Sequence, residues 1–368
     1  MVVKPLTLLL LAFSLLLLGC DQDDPSPIPG ASWDIAVLNE GQLGSNNASI
    51  TTFSDSGGQW QAAQYQFEAA NDQPLGDVLN SFTYDSTTGA LYLVMDNSKR
   101  IYKVDPASWT LQATLDFPNG ANPRNLVIAP GGKGYVSSLF NGKVYVLDMN
   151  NFSITDEIQL EPYPDHLVLH AGKLLVSCAN LDVQRTNNKL AVIDIAADTV
   201  SNYISLPRAN PATLTAQPNG DLVVECRGTY YTEQHAAWVW LEASTGELTD
   251  SLLLDSHTFG TSLYDPTEQM IYFVLGDALD PAQQHIARLD LHTRRLEPQY
   301  IAHSQLQLAD TEYPYALRMH DGWLYVGISA GTLDGRLIRL RADDTALIEQ
   351  LGPTGQFPGE LIFADDLR

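Results

Sequence analysis

The chain ends in "FPGELIFADDLR", which alternates like a β-strand although no sequence follows to supply a partner. A terminal strand must pair somewhere, because unmatched backbone donors and acceptors would otherwise template aggregation. Self-comparison locates the partner. Short apolar runs recur at "DIAVLN" (34), "ALYLVMD" (90), "KGYVSS" (133), "KLLVSC" (173), "DLVVEC" (221), "MIYFVL" (270) and "WLYVGI" (323). A second register recurs in step with them, at "ASITTFS" (48), "RIYKVD" (100), "KVYVLD" (143), "KLAVID" (189), "AWVWLE" (237), "HIARLD" (285) and "RLIRLR" (336). A period of about 47 residues, each holding four strand signals, is that of four-stranded propeller blades.

Opening strands for these blades appear at "NSFTYD" (80), "RNLVIA" (124), "HLVLHA" (166), "ATLTAQ" (212), "TSLYDP" (261) and "YALRMH" (315), which is one too few. The tail segment "GELIFAD" (359) supplies the seventh, so it should complete a blade whose other strands lie between 34 and about 67. The expected architecture is all-β: a seven-bladed β-propeller over 33–368, closed by pairing of the C-terminal strand with the N-terminal blade. The second strands are apolar at almost every position, as strands covered on both faces must be. Fourth strands such as "SITDEIQL" (153) and "TVSNYISL" (199) alternate polar with apolar, which suits an outer rim.

The amino terminus reads as an export signal. Lys4 precedes the apolar run Leu6 to Leu18, and the Leu17-Leu18-Gly19-Cys20 sequence resembles a bacterial lipobox. Residues 1–19 are expected to be a lipoprotein signal peptide, with Cys20 lipidated. The acidic and Pro-rich stretch over 20–32 cannot bury apolar surface and reads as an extended tether. The expected address is the outer membrane, facing the cell surface. Asp21 directly after the cysteine leaves the periplasmic face or the inner membrane as alternatives.

Against 20 basic residues the chain has 44 acidic ones, a net charge of −24. Such a surface repels polyanions, so nucleic acid is not expected as a partner. After Cys20 the remaining cysteines are Cys178 and Cys226. They occupy equivalent positions in adjacent blades, and the blade rotation turns both the same way round the ring. They are expected to be unpaired and buried, since a disulfide needs Cα atoms within about 7 Å.

Loop lengths separate the two faces. First-to-second connections are minimal, for example "PGG" (130) and "HDG" (320), and third-to-fourth connections such as "DMNN" (148) are similar. The other two classes emerge on the opposite face, and several are long, including "CANLDVQRTNN" (178), "CRGTYYTEQHA" (226) and "AHSQLQLADTEYP" (302). A rigid scaffold with extended loops on one side presents a binding face. On that face lie Phe140, Tyr163, Tyr230, Tyr231, Tyr313 and Phe357, interspersed with Arg124, Arg185, Arg208 and Arg227. Aromatics offer flat apolar area, and Arg satisfies carboxylate, phosphate or amide groups, which suits a large amphipathic ligand. For any single Tyr, capping a blade core is an equally good explanation.

Other constellations yield less. Asp105, Asp148, Asp194, Glu242 and Asp290 recur at one register on the short-loop face, where an acid accepts hydrogen bonds from the amides of the following turn. The eight His are scattered, His166 and His170 sharing one first strand, and are read as structural, so no metal site is expected. No H-E-x-x-H motif is present, no catalytic residue is assigned and no cofactor is expected. Asp277 and Asp280 could take a structural Ca²⁺, though two carboxylates in a loop are a common pattern.

The segment "VLNEGQLGSNNASITTFSD" (37–55) resembles the start of the YncE-like propellers of Bacteroides-type surface lipoproteins, a family that includes the cobalamin-capturing BtuG proteins. The locally specific part is Asn39-Glu40-Gly41 followed by Gly44-Ser45-Asn46-Asn47-Ala48-Ser49, with Gln42-Leu43 standing where relatives more often show Asn and an aromatic. On the residues alone the motif is a loop opening onto the long-loop face, Gly41 and Gly44 being free to take positive φ. The resemblance implies a non-enzymatic, membrane-anchored binder that captures a corrinoid or similar nutrient and passes it to a TonB-dependent outer-membrane transporter, with Asn39, Glu40, Asn46 and Asn47 among its ligand contacts. Two alternatives stay open: a propeller hydrolase of the metal-dependent lactonase type, and a cell-surface adhesion or protein-interaction module.

Overall fold

In a computed structural model the chain winds into seven antiparallel sheets of four strands each. The described residues are 30–161, 163–179, 186–229, 234–242, 245–277, 280–342, 345 and 348–367; the signal, the tether and Cys20 lie outside them. Blade one joins Pro358–Phe363 to Ile35–Asn39, Ser49–Asp55 and Trp60–Ala63, in that order from the axis outward. The closing strand pairs antiparallel with the first strand of the chain, Phe363 opposite Ile35 and Leu361 opposite Val37. The inner strands of blades two to seven are Leu79–Asp85, Pro123–Ala129, Tyr163–His170, Pro211–Ala216, His257–Asp265 and Tyr313–His320. Each touches the next, and the closing strand touches those of blades seven and two, so the ring is complete.

Seven hydrophobic clusters hold the ring together, one at each blade-to-blade interface. The period-2 geometry of a strand explains how one sheet serves two interfaces. In blade four Leu174 and Val176 point into the cluster shared with blade three, while Leu175 between them points into the cluster shared with blade five. Outer strands bury little, as in Ser153–Gln159, where Ile158 alone is fully buried. Cys178 and Cys226 are free and buried, and both side chains join the cluster facing the preceding blade. Burial pushes the Cys178 thiol up to about 12 and raises that of Cys226 further.

The short-loop face is built from the expected turns. Asp148 Oδ1 accepts from the amides of Asn150 and Asn151, Asp194 Oδ1 from Ala196 and Ala197, and Asp290 Oδ1 from His292 and Thr293. Asp105 does the same with Ala107 and Ser108, whereas the longer Glu242 accepts from the Thr245 hydroxyl. On the opposite face the connections are uneven, because the second-to-third loop of blade two is only the turn 96–99. Among the described residues no helix is long and apolar enough to cross a membrane.

Candidate functional site

A central cavity of about 930 Å³ lies among the inner strands. Most of its wall comes from the first part of these strands, the end entered from the long-loop face, while Tyr264 and Arg318 line it further along their strands. The local cause is a repeated irregularity: every inner strand breaks register against its neighbour near its start, between Leu79 and Ser81, Pro123 and Leu126, Pro164 and Leu167, Pro211 and Leu214, Phe259 and Leu263, and Pro314 and Ala316, with the counterpart in blade one between Leu38 and Asn39. A bulge re-aims the extra residues, here toward the axis. Asn80, Arg124, Asp165, His166, Thr213, Thr261 and Tyr315 line the cavity for that reason. The bulges also stitch blades together: Asn80 Nδ2 and Ser81 Oγ donate to Arg124 O at 2.5 and 2.7 Å, and Leu167 N donates to Asn125 Oδ1 at 3.1 Å.

Charge in the wall is organised around two arginines. Arg124 donates from Nη1 to Asp96 Oδ2 at 2.8 Å and from Nε to Asp165 Oδ1 at 3.1 Å. Burial works against charging Arg124 and Asp165. The attraction outweighs it, holding Arg124 above the usual guanidinium range and Asp165 below the usual carboxylate range. Arg227 leaves the second strand of blade five and donates from Nη2 to Gly260 O of blade six at 2.6 Å, with Glu225 Oε1 3.5 Å from its Nε. The fully buried Glu225 also accepts from Ser262 Oγ at 2.7 Å.

Among the described residues, two carboxyls of the cavity wall, Glu40 and Glu360, have no guanidinium hydrogen-bonded to them. Burial pushes Glu40 up to about 7, although the Tyr315 hydroxyl donates to its Oε2 at 3.0 Å. Burial likewise raises Glu360 to about 7; the Arg318 charge opposes this and the Glu40 charge adds to it. Beside them Tyr313, Tyr315 and Phe357 form an aromatic wall, with ring centroids 6.2 and 5.9 Å apart in succession. Three further lining residues, His166, Thr258 and Gln284, each keep a buried polar atom without a hydrogen-bond partner.

Of the residues expected at the site, Glu40, Arg124, Arg227 and Tyr313 line this cavity. Phe357 stacks behind Tyr315. Asn39 is wholly buried, its amide donating to Ser49 O, Ser49 Oγ and Thr51 Oγ1, so its observed role is to fix the first hairpin. Asn46 takes φ 54 at the exposed tip of the following loop, and Asn47 braces that loop by accepting from Gln42 N and donating to Gln356 Oε1. Phe140, 60% exposed, and Tyr163 and Arg208 lie outside the cavity wall. Arg185, Tyr230 and Tyr231 fall outside the described residues. Gly41 and Gly44 do take positive φ, and a Cβ on Gly41 would meet Ala48 N at 2.5 Å. Asp280 is engaged by the Ala282 amide and the Gln283 side chain, and pairs in register with Asp277.

The residues that sequence reading missed, above all Asp165, His166, Tyr315 and Glu360, do share a signal. Five inner strands open with the pattern Pro-x-x-Leu, at Pro123, Pro164, Pro211, Pro314 and Pro358, and the two residues between are the ones turned toward the axis.

No protein-family model and no curated protein matches the chain. Solved structures do. A candidate 6-phosphogluconolactonase from Bacteroides fragilis aligns with a TM-score of 0.64 at 13% identity, over 92% of this chain and 99% of that one. The WD40 propeller domain of Doa1 aligns at 0.56 and 14% identity over 87% and 96% of the two chains, and Kuenenia stuttgartiensis hydrazine synthase at 0.58 and 14% identity over 70% and 75%. These proteins differ widely in what they are named for, and at such identities the likeness is one of fold. The chain is, by its own sheet order and by these likenesses, a seven-bladed β-propeller.

Proposed function

We propose that the chain is a membrane-anchored, non-enzymatic binding propeller that captures a large, amide-bearing nutrient at its cavity mouth and passes it to a TonB-dependent outer-membrane transporter. A corrinoid is the ligand that the family resemblance implies. The observation that supports a binding role is the cavity itself: about 930 Å³ in volume, of mixed polar and apolar lining, and bordered by His166, Thr258 and Gln284 with polar atoms unmatched by the protein. A packed channel of structural side chains would pair such atoms, so their presence favours a ligand that brings its own donors and acceptors. The peripheral amides of a corrinoid do both, and its flat ring can rest against Tyr313 and Tyr315.

Calorimetry on the mature chain with cyanocobalamin tests this. A binding heat at micromolar ligand is expected, weakened at least tenfold in Arg227→Ala and in Tyr313→Ala; no heat at that concentration removes the corrinoid. Co-purification with a TonB-dependent transporter tests the hand-off separately.

A hydrolase is the second reading, favoured by one feature. Glu40, raised to about 7 by burial, sits in the field of Arg124 and Arg227, which is how a general base near neutrality is set. Turnover of a lactone by wild type, abolished in Glu40→Gln, would establish that reading in place of the first.

A further inference from the structure

On the short-loop face, away from the cavity mouth, His320, Asp321 and Asp365 converge where blade seven meets the closing strand. His320 ends the inner strand of blade seven, Asp321 follows in the tight turn at φ 47, and Asp365 lies just past the closing strand. His320 Nε2 is 3.1 Å from Asp365 Oδ2 and 3.5 Å from Asp321 Oδ2, and one ligand atom from each residue lies within 4.8 Å of the others. A neutral imidazole nitrogen can serve one carboxylate, not two. Ligand atoms bound at about 2.0–2.2 Å to a tetrahedral Zn²⁺ are themselves about 3.3–3.6 Å apart, close to the two His–Asp spacings seen here.

The imidazole is also oriented. Its ring stacks on Phe363 at 3.9 Å and 7°, and Nδ1 faces Asp366 Oδ1 at 3.7 Å. Asp366 is itself held by Arg318 Nη2 at 2.8 Å. A carboxylate behind Nδ1 favours the proton there, which leaves the Nε2 lone pair directed at the two other acids; this is how protein zinc ligands are commonly oriented.

We propose that His320, Asp321 and Asp365 form a Zn²⁺ site that staples the closing strand to the first hairpin of blade seven. Three protein ligands leave a fourth position for water. The ion is structural: it joins residues 45 positions apart in sequence, holding the closing strand of blade one against blade seven, so it should slow separation of these two blades.

The test uses the mature chain freed of metal with a chelator. Equilibrium dialysis against ZnCl₂ with metal analysis should find one equivalent of Zn²⁺, and adding it should raise the melting temperature. Asp321→Asn alters an exposed turn side chain, so the metal-free melting temperature should not move while Zn²⁺ affinity falls ten- to a hundredfold; Asp365→Asn should lower Zn²⁺ affinity to the same extent. Absence of stoichiometric Zn²⁺, or binding that both substitutions leave unchanged, overturns the site and leaves an imidazolium ion pair in its place.

Discussion

The Tyr315 hydroxyl donates to Glu40 Oε2 at 3.0 Å, joining residues 275 positions apart and tying the first hairpin of the chain to its last blade. Glu40 reaches Tyr315 by passing over Gly359. A Cβ on Gly359 would stand 2.7 Å from Glu40 Oε1 and 2.9 Å from Glu40 Cγ, so the glycine leaves room for the acid. Gly359→Ala is therefore expected to displace Glu40, with a stability loss of about 1–3 kcal/mol. The Glu40→Ala background removes the clashing atoms. If Gly359→Ala costs as much there as in wild type, by urea unfolding, the packing argument fails.

Glu40 and Glu360 set a pH dependence whose sign follows from their raised values. Unfolded, each titrates near 4.5; folded, each titrates near 7. Between these values the native state keeps protons that the unfolded state has lost, so stability falls as pH rises through the window and levels off above about 7. The loss is on the order of 2–3 kcal/mol for each carboxyl. Under more acidic conditions the trend reverses, because Asp165 is held below 3.8 by Arg124 and loses that pairing when protonated. Urea midpoints should thus be higher at pH 5 than at pH 8. The Glu40→Gln, Glu360→Gln double variant should show little of this difference, and an undiminished difference would assign the effect to other groups.

Arg124 bridges two acids from two blades, Asp96 and Asp165, and is 26% exposed against 10% and 29% for its partners. Removing the guanidinium leaves two partly buried carboxylates facing each other, at a cost of about 2–4 kcal/mol. Arg124→Ala should lower the denaturant midpoint accordingly. Adding Asp96→Asn and Asp165→Asn should recover part of that loss, because the residual repulsion is then gone; a triple variant no more stable than Arg124→Ala would show that lost packing, not charge, is the cause.

The architecture was legible because a propeller repeats its pattern seven times, so that weak signals in single strands reinforce one another and a missing inner strand can be sought at the other chain end. The cavity was not legible in the same way. Loop aromatics such as Phe140 stand out in sequence as large exposed side chains, yet loop length says nothing about where a side chain points. Asp165, Tyr315 and Glu360 look like ordinary strand residues, and only the bulge behind each opening residue turns them to the axis. Glu40 was found by its place in a motif, while its partner lay 275 residues away. His320 and Asp365 were beyond reach for the same reason, since residues brought together by packing of one blade on the next leave no spacing pattern.

Closure itself can be probed at Phe363, which is 2% exposed and packs its ring on His320 at 3.9 Å and against Tyr325 at 4.8 Å. It stands opposite Ile35 in the pairing that joins the two chain ends. Phe363→Ala empties a site where blade seven, the first strand and the last strand meet, and should cost about 3–5 kcal/mol. Leu253→Ala on an outer strand, where the side chain is 53% exposed, is the matched control and should stay within about 0.5 kcal/mol of wild type. Because every blade leans on two neighbours, loss at the seam should lower one cooperative unfolding transition and not create a second. A separate early transition for residues near Phe363, seen by hydrogen exchange as independent release of the closing strand at no cost to the other blades, would mean that the ring does not depend on its closure.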